Sequence, residues 1–249
     1  MKTDQKWAII LNPAAGKGRG LKAWPALRSG LEASEIDYRI FESPGPGKIA
    51  EQVTTALKAH FRDLIVIGGD GTNFEVINSL IAYPDMESTT CRLAFYPAGT
   101  GNDWARSLGI PRKSNSWIEL LNSENFRFHD LGWVTFYQGN KQGKQYFLNV
   151  AGIGFDAYVV EKYLQKMPFG KLSYLSGLLQ GLVSYTYPTL HVKAGPTEYL
   201  TPAYLMAVGI GRFFGGGMKI CPHAGHGSGE FGVTLIRDLP KWQIVQQLP

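Results

Sequence analysis

The sequence predicts an α/β N-terminal domain built on a parallel sheet, residues 1–125, followed by a β-rich, sandwich-like second domain, residues 126–249. Two observations lead there. Through the first half, short apolar runs alternate with turn signals and helical patterns, the order expected of parallel strands covered by helices. Beyond Asn125, strand-like runs joined by polar turns take over. The composition suits such a chain: 249 residues, 44% hydrophobic and 18% charged, suffice for one or two domains with real cores and argue against a disordered, collagenous or coiled-coil protein.

Taken in order, Trp7 to Leu11 reads as a buried strand, followed by a Gly-rich loop and a helix over Leu21 to Ala33. Tyr38 to Phe41 is a second strand and Ile49 to Leu57 a helix. Leu64 to Ile67 is a third strand, ending at Gly68-Gly69-Asp70-Gly71-Thr72, after which Phe74 to Ile81 reads as helix. Leu93 to Tyr96 is a fourth, broken by Pro97-Ala98-Gly99-Thr100-Gly101-Asn102-Asp103. In the second domain, Phe128 to Phe136 and Gln145 to Val150 read as strands joined by a turn at Gly139 to Gly143. Helical segments follow at Ala157 to Lys166 and Leu172 to Ser184, then strands at Leu190 to Ala194, Ala203 to Ile210 and Phe231 to Arg237. Leu172 to Leu190 is long enough for a membrane span, but its apolar residues are periodic instead of continuous, which describes a helix laid on the protein's own core or on lipid.

Three of the loops carry chemistry, and ligands of parallel sheets bind beyond the carboxyl ends of the strands. Asn12-Pro13-Ala14-Ala15-Gly16-Lys17-Gly18-Arg19-Gly20 offers backbone N–H groups, two cations and a helix N-terminus to an anion, although it is no Walker A loop. In the second loop a carboxylate among glycines would repel phosphate, so Asp70 reads as a metal or acid/base residue; the bland reading is an Asp-Gly turn capping the next helix. The third loop offers a hydroxyl, an amide and a carboxylate. Asp103 there is equally the N-cap of a short helix to Leu108, and both roles are compatible. Three such loops at successive strand ends point to a nucleotide site.

These residues resemble the diacylglycerol kinase catalytic domain family, which includes bacterial lipid kinases and sphingosine kinases. The resemblance rests on Asn12-Pro13 with Gly16-Lys17-Gly18, on Gly-Gly-Asp-Gly-Thr with Glu75, and on Pro-Ala-Gly-Thr-Gly-Asn-Asp-Trp-Ala-Arg. Ala151 to Ala157 and Gly215 to Ile220 with Pro222 and Ala224 extend it to about Arg237. It implies an ATP- and Mg²⁺-dependent kinase of a lipid alcohol such as diacylglycerol. Asn12, Pro13, Ala14, Ala15, Gly16, Lys17, Ser43, Gly68, Gly69, Asp70, Gly71, Thr72, Asn73, Phe74 and Thr100 would hold the nucleotide. Asp70, Asp103 and Asp130 would form the catalytic acidic network that orients Mg²⁺.

Three departures qualify what the resemblance implies. Phe74 replaces the family's usual Asn, with Asn73 beside it. Ser228 replaces the Asp linked to a structural Mg²⁺, so that metal is expected to bind weakly or not at all. The family's proposed base, a Glu in Asp-Gly-Glu, occurs nowhere in these 249 residues, so the second domain is expected to be truncated, with open strand edges that favour aggregation or pairing, a homodimer being one form of the latter. The alternatives are a noncatalytic nucleotide- or lipid-binding remnant, and an NAD-kinase-like enzyme favoured only by Gly-Gly-Asp-Gly-Thr.

The formal charge of +5 accompanies no basic stripe with interleaved aromatics, which argues against nucleic acid. It suits a cytoplasmic protein that touches an anionic membrane surface peripherally. The two cysteines cannot make a disulfide framework, and Met1 to Trp7 carries charge where a signal peptide would be apolar. Gly152-x-Gly154-x-x-Ala157 imitates a dinucleotide fingerprint but reads as a plain strand-to-helix turn, and His223 with His226 lacks the further ligands of a zinc site.

Overall fold

The computed structural model describes residues 6–84, 91–159, 161 and 185–237. They divide into two units: Met1–Asn149 with Phe213–Gly217 and His226–Gly229, and Val150–Arg212 with Met218–Gly225 and Glu230–Pro249.

The first unit runs β1 (Trp7–Leu11), α1 (Arg19–Ala33), β2 (Tyr38–Glu42), α2 (Ile49–Lys58), β3 (Asp63–Gly68), α3 (Asp70–Ala82), β4 (Arg92–Pro97), α4 (Asp103–Ser107), α5 (Ser114–Asn122), β5 (Gly132–Gln138) and β6 (Lys141–Phe147). The four-stranded sheet has the order β2-β1-β3-β4, all parallel, with Ile9 beside both Ile40 and Ile65. Every residue of β1 and β3 is buried, so the central strands are covered on both faces and read as continuous apolar runs instead of alternating ones. Ala8, Ile10, Leu64 and Val66 face α2 and α3 through Val53, Leu57, Val76 and Leu80. Ile9, Leu11, Ile65 and Ile67 face α1 and α5 through Leu27, Leu31, Trp117 and Leu121. Each fully buried Leu or Ile contributes about 1.5–3 kcal/mol, which fixes the strand ends where the loops begin.

Helix α5 is absent from the sequence reading. It is nine residues long and anchors through Trp117, Ile118 and Leu121, with the Trp117 indole N–H donating to the Phe95 carbonyl at 2.8 Å. Gly30 lets α1 approach it, since a Cβ there would stand 2.7 Å from Ile118. Helix α3 begins at Asp70, four residues before the sequence reading places it, so the Asp-Gly-Thr segment is the first helical turn and not a loop.

The β5–β6 hairpin turns on Gly139 and Asn140 alone, with Gly139 at φ +60°, while Gln142 and Gly143 lie in the ladder and not in the turn. Its register places Phe136 over Gly143. Asn78 of α3 bonds both backbone groups of Tyr146, donating to its carbonyl and accepting from its N–H at 2.9 Å each. Leu148 adds to the α2–α3 core. The hairpin therefore belongs to the first unit, and the second begins at Val150, not near Phe126.

The second unit contains β7 (Val150–Gly154), α6 (Phe155–Val159), β8 (Thr189–Ala194), β9 (Thr197–Gly209) and β10 (Gly232–Arg237). All its pairings among the described residues are antiparallel. The long strand β9 pairs β8 through Thr197–Pro202, and β7 and β10 through its second half. Because β7 pairs antiparallel with β9, Gly152-x-Gly154 opens no βαβ unit. Phe155, Tyr185, Tyr204 and Leu205 form its main described cluster. The helix read at Ala157 to Lys166 is seen only in its first residues, and Leu172 to Ser184 lies outside the described residues. Among the described residues, no helix is long and apolar enough to cross a membrane.

Candidate functional site

The carboxyl ends of β1, β3 and β4 bring the three loops together in the first unit. Asn12 continues the ladder by donating its backbone N–H to Ile67. Its side chain accepts from the Ala14 N–H at 3.1 Å and donates to Thr72 Oγ1 at 2.8 Å, tying the first loop to the start of α3. Gly16, Lys17 and Gly18 follow one another in the left-handed region, at φ +58°, +63° and +82°. Gly16 is required there, because a Cβ would fall 2.0 Å from the Ala98 carbonyl oxygen.

The second and third loops touch glycine on glycine. A Cβ on Gly99 would stand 2.4 Å from the Gly69 Cα, and one on Gly69 would stand 2.6 Å from the Gly99 Cα. Arg19, which the sequence reading offers to an anion, donates instead to the Gly99 carbonyl at 2.8 Å and to Thr100 Oγ1 at 3.3 Å. Arg112 donates to the Gly101 carbonyl at 3.0 Å. Asn102, at φ +52° and buried, donates to the Pro97 and Gly99 carbonyls. The third loop is thus held by side chains from three directions in sequence.

Asp70 does not cap its own helix. Its two carboxylate oxygens accept the Asp103 and Trp104 N–H groups, each at 3.2 Å, so it caps α4 across the sheet end. Asp103 Oδ2 accepts the Gly216 N–H at 2.7 Å. The two carboxylates converge, since a Cβ on Gly101 would stand 3.2 Å from Asp70 Oδ2 and 3.3 Å from Asp103 Oδ2. Burial pushes the Asp103 carboxyl above its ordinary range; Gly216 opposes that shift, Asp70 adds to it, and Arg106 opposes it. Asp103 Oδ1 is buried without a hydrogen bond, and Arg106 Nε at 3.8 Å is too far to donate one.

Asp130 stands apart from this pair. Its Oδ2 accepts the Gly229 N–H at 3.1 Å, and its backbone carbonyl lies 2.6 Å from His129 Nδ1. The Trp104 indole, a donor only, bonds His129 Nε2 at 2.9 Å, so His129 is neutral with its proton on Nδ1, and burial holds its pKa below the usual value. Among the described residues, no three His, Cys, Asp or Glu side chains gather into a group that could hold a metal. The expected three-aspartate network is a pair plus one, because Asp130 is anchored to its own glycine.

The remaining expected residues divide by polarity and burial. Ser43 is buried and its hydroxyl donates to the Gly45 carbonyl at 2.8 Å. Thr72 and Asn73 are buried, and Asn73 Oδ1 has no partner; Phe74, one position on, is 39% exposed. Successive helical residues lie about 100° apart, so Asn73 cannot take the place that Phe74 occupies. His226 packs at a tilt against His129, with ring centroids 4.7 Å apart, and is not a plain surface histidine, while His223 is exposed.

Comparison with known proteins agrees with this arrangement. The family described as Diacylglycerol kinase catalytic domain matches residues 6–134, and the YegS C-terminal NAD kinase beta sandwich-like domain matches residues 149–249. The Bacillus subtilis (strain 168) protein named "Putative lipid kinase YtlR" is 32% identical, over 94% of this chain and 78% of that protein. A Mycobacterium tuberculosis (strain ATCC 25618 / H37Rv) "Diacylglycerol kinase" is 28% identical, over 98% and 77%. The crystal structure of a diacylglycerol kinase from Bacillus anthracis str. Sterne superposes with a TM-score of 0.66 at 25% identity, covering 99% of this chain and 78% of that one. With a family match over more than half its length and its glycine loops gathered at the ends of a parallel sheet, this chain belongs to the diacylglycerol kinase catalytic domain family.

Proposed function

We propose that this chain is an ATP-dependent lipid kinase that phosphorylates the hydroxyl of a lipid alcohol such as diacylglycerol, with Mg²⁺ at Asp70 and Asp103. The observation that carries the reading is the convergence of those two carboxylates beside glycine loops whose hydroxyls are already oriented. Thr72 Oγ1 accepts from Asn12, and Thr100 Oγ1 accepts from Arg19, so each hydroxyl proton is left to donate elsewhere. Phosphate oxygens are acceptors and match both. Ser43 has the opposite polarity: its proton is committed to Gly45, so its lone pairs suit a hydroxyl or amino group of a nucleotide.

Asp70 Oδ2 and Asp103 Oδ2 both lie toward Gly101 and would hold the cation there, while Asp103 Oδ1 faces the Arg106 guanidinium at 3.8 Å. Mg²⁺, when bound, neutralises charge on the phosphates during transfer. The backbone of the α3 first turn adds N–H groups without helical partners. Asp130 supports the site from outside the pair, through His129 and Trp104. No Asp-Gly-Glu occurs in the 249 residues, so the residues described account for binding and charge neutralisation and not for removal of the lipid hydroxyl proton. The lipid substrate also implies contact with a membrane surface.

Transfer of labelled γ-phosphate from ATP to diacylglycerol, sphingosine or polyprenol in Mg²⁺-containing mixed micelles tests this. A labelled lipid product supports the kinase. Mg²⁺-ATP binding without product favours a noncatalytic nucleotide-binding protein, the reading that the exposed Phe74 ring supports. Absence of ATP binding contradicts both.

A further inference from the structure

Strand β5 is exposed along nearly its whole length: Gly132 is buried, and Trp133 to Gln138 are open to solvent. Its register on β6 sorts the hairpin into two faces. Trp133 and Tyr137 share one with Tyr146 and Lys144, while Val134 and Phe136 lie on the other, Phe136 across Gly143. Apolar side chains are exposed on both. Trp133 is 59% and Tyr137 72% exposed on the first face, and Val134 38% and Phe136 40% on the second. A strand laid on its own core alternates apolar with polar residues, so packing within the unit does not account for this one.

The formal charges of the hairpin have one sign. Residues 132–147 hold Lys141 and Lys144, both exposed, and no Asp or Glu. Lys144 Nζ stands 4.7 Å from the Trp133 ring centroid and 4.8 Å from that of Tyr146, so its cation sits among the rings of the first face. The hairpin is fastened at its base, where Asn78 bonds both backbone groups of Tyr146 and Leu148 enters the α2–α3 core. Its opposite end, the turn at Gly139 and Asn140, is exposed. Among the described residues, β5 pairs with β6 and with no other strand.

From this we infer that the β5–β6 hairpin docks on an anionic membrane surface, at the level of the headgroups. That occupant rests on the lipid-kinase reading, whose substrate is held in a bilayer. Three features favour lipid over a protein partner. A protein covers one face of a strand, whereas a membrane interface surrounds an inserted element and takes apolar side chains from both faces. Trp and Tyr are the rings that settle at the boundary of chains and headgroups. Lysines beside them extend to anionic headgroups, each worth about fivefold in affinity. The outer edge of β5 limits the depth, since its unpaired N–H and C=O groups would find no partner in hydrocarbon.

The test sediments the whole chain with phosphatidylcholine vesicles, with or without phosphatidylglycerol, and measures its mass in solution without lipid. One double variant is Trp133→Ser with Tyr137→Ser, the other Lys141→Gln with Lys144→Gln, each checked by urea unfolding. Wild type should bind the phosphatidylglycerol vesicles at least tenfold more tightly than phosphatidylcholine alone, and each double variant should lose tenfold or more of that binding. If the aromatic pair proves necessary for folding, the lysine pair decides. Brominated phosphatidylcholine in the anionic vesicles should quench tryptophan fluorescence, and Trp133→Phe should remove that quenching. Wild-type binding in the folded variants, undiminished quenching in Trp133→Phe, or no binding to either vesicle overturns the docking. A wild-type dimer that the aromatic variant dissociates assigns the face to a second copy and overturns it too. Vesicle binding needs no phosphoryl transfer, so the two readings fail separately. A chain that phosphorylates a short-chain, water-dispersed diacylglycerol but ignores vesicles keeps the kinase and loses the docking; one that binds through the hairpin without transfer does the reverse.

Discussion

The loops at the ends of β3 and β4 and the turn at Asp130 offer the same functional group in different surroundings. At the strand ends, Asp70 is fastened by two backbone N–H groups and shares a space with Asp103, whose second oxygen is left without a hydrogen bond. Asp130 instead accepts the Gly229 backbone N–H and belongs to no cluster of three ligating side chains among the described residues. Two carboxylates so close are costly unless a proton or cation intervenes, whereas a half-buried one held by a backbone N–H is less so. The difference separates a pair that the proposed function assigns to a cation from a residue that anchors the turn at Gly229.

The most disruptive change is Asp70→Ala, which removes both the carboxylate and the cap of α4. We expect transfer to fall by about 10²–10⁴-fold, as for loss of a positioned catalytic group, and stability by about 1–3 kcal/mol for the orphaned donors. Kinetics together with urea unfolding would read both. Gly99→Ala attacks the same place from the backbone, driving a Cβ against Gly69; a loss of about 1–3 kcal/mol is expected, with weaker ATP binding. A Gly99→Ala variant as stable as wild type would show the loops to be looser than described.

The pH dependence follows from Asp103. Burial raises its folded pKa above the unfolded value of 3.8, so its contribution to stability is fully present below pH 3.8 and is lost as pH rises through the folded value. Replacing it by Asn removes that loss, so the unfolding midpoint should gain on wild type as pH rises through that window. An unchanged difference across pH would mean that the carboxyl is not desolvated. The smallest effect is expected of Asp130→Asn, which keeps an acceptor for Gly229: less than tenfold in kcat/KM. A loss equal to that of Asp70→Ala would restore Asp130 to the cation site.

Much of this was legible in the residues. The buried strands show as apolar runs because both faces of the sheet are covered, and the glycine loops show because close backbone approach admits no Cβ. Helix α5 is not legible, because three anchoring residues in nine make little periodicity and its place is set by Trp117 reaching Phe95. Strand patterns do not say which unit they join, and it is Asn78 that ties the hairpin to the first. Arg19 looked like a phosphate cation, and its use on Gly99 needed the fold. The bond from Gly216 to Asp103 spans 113 residues, and no local pattern encodes it. Nor does any signal announce that a tryptophan fixes the tautomer of His129 beside Asp130.

In the proposed function, Asp70 and Asp103 together hold the cation that accompanies the nucleotide. Calorimetric titration of ATP with and without Mg²⁺, on wild type and Asp103→Asn, tests it most directly. Wild type should bind ATP at least tenfold more tightly with Mg²⁺, and Asp103→Asn should bind it equally with or without. A variant that keeps the full Mg²⁺ dependence would contradict the claim.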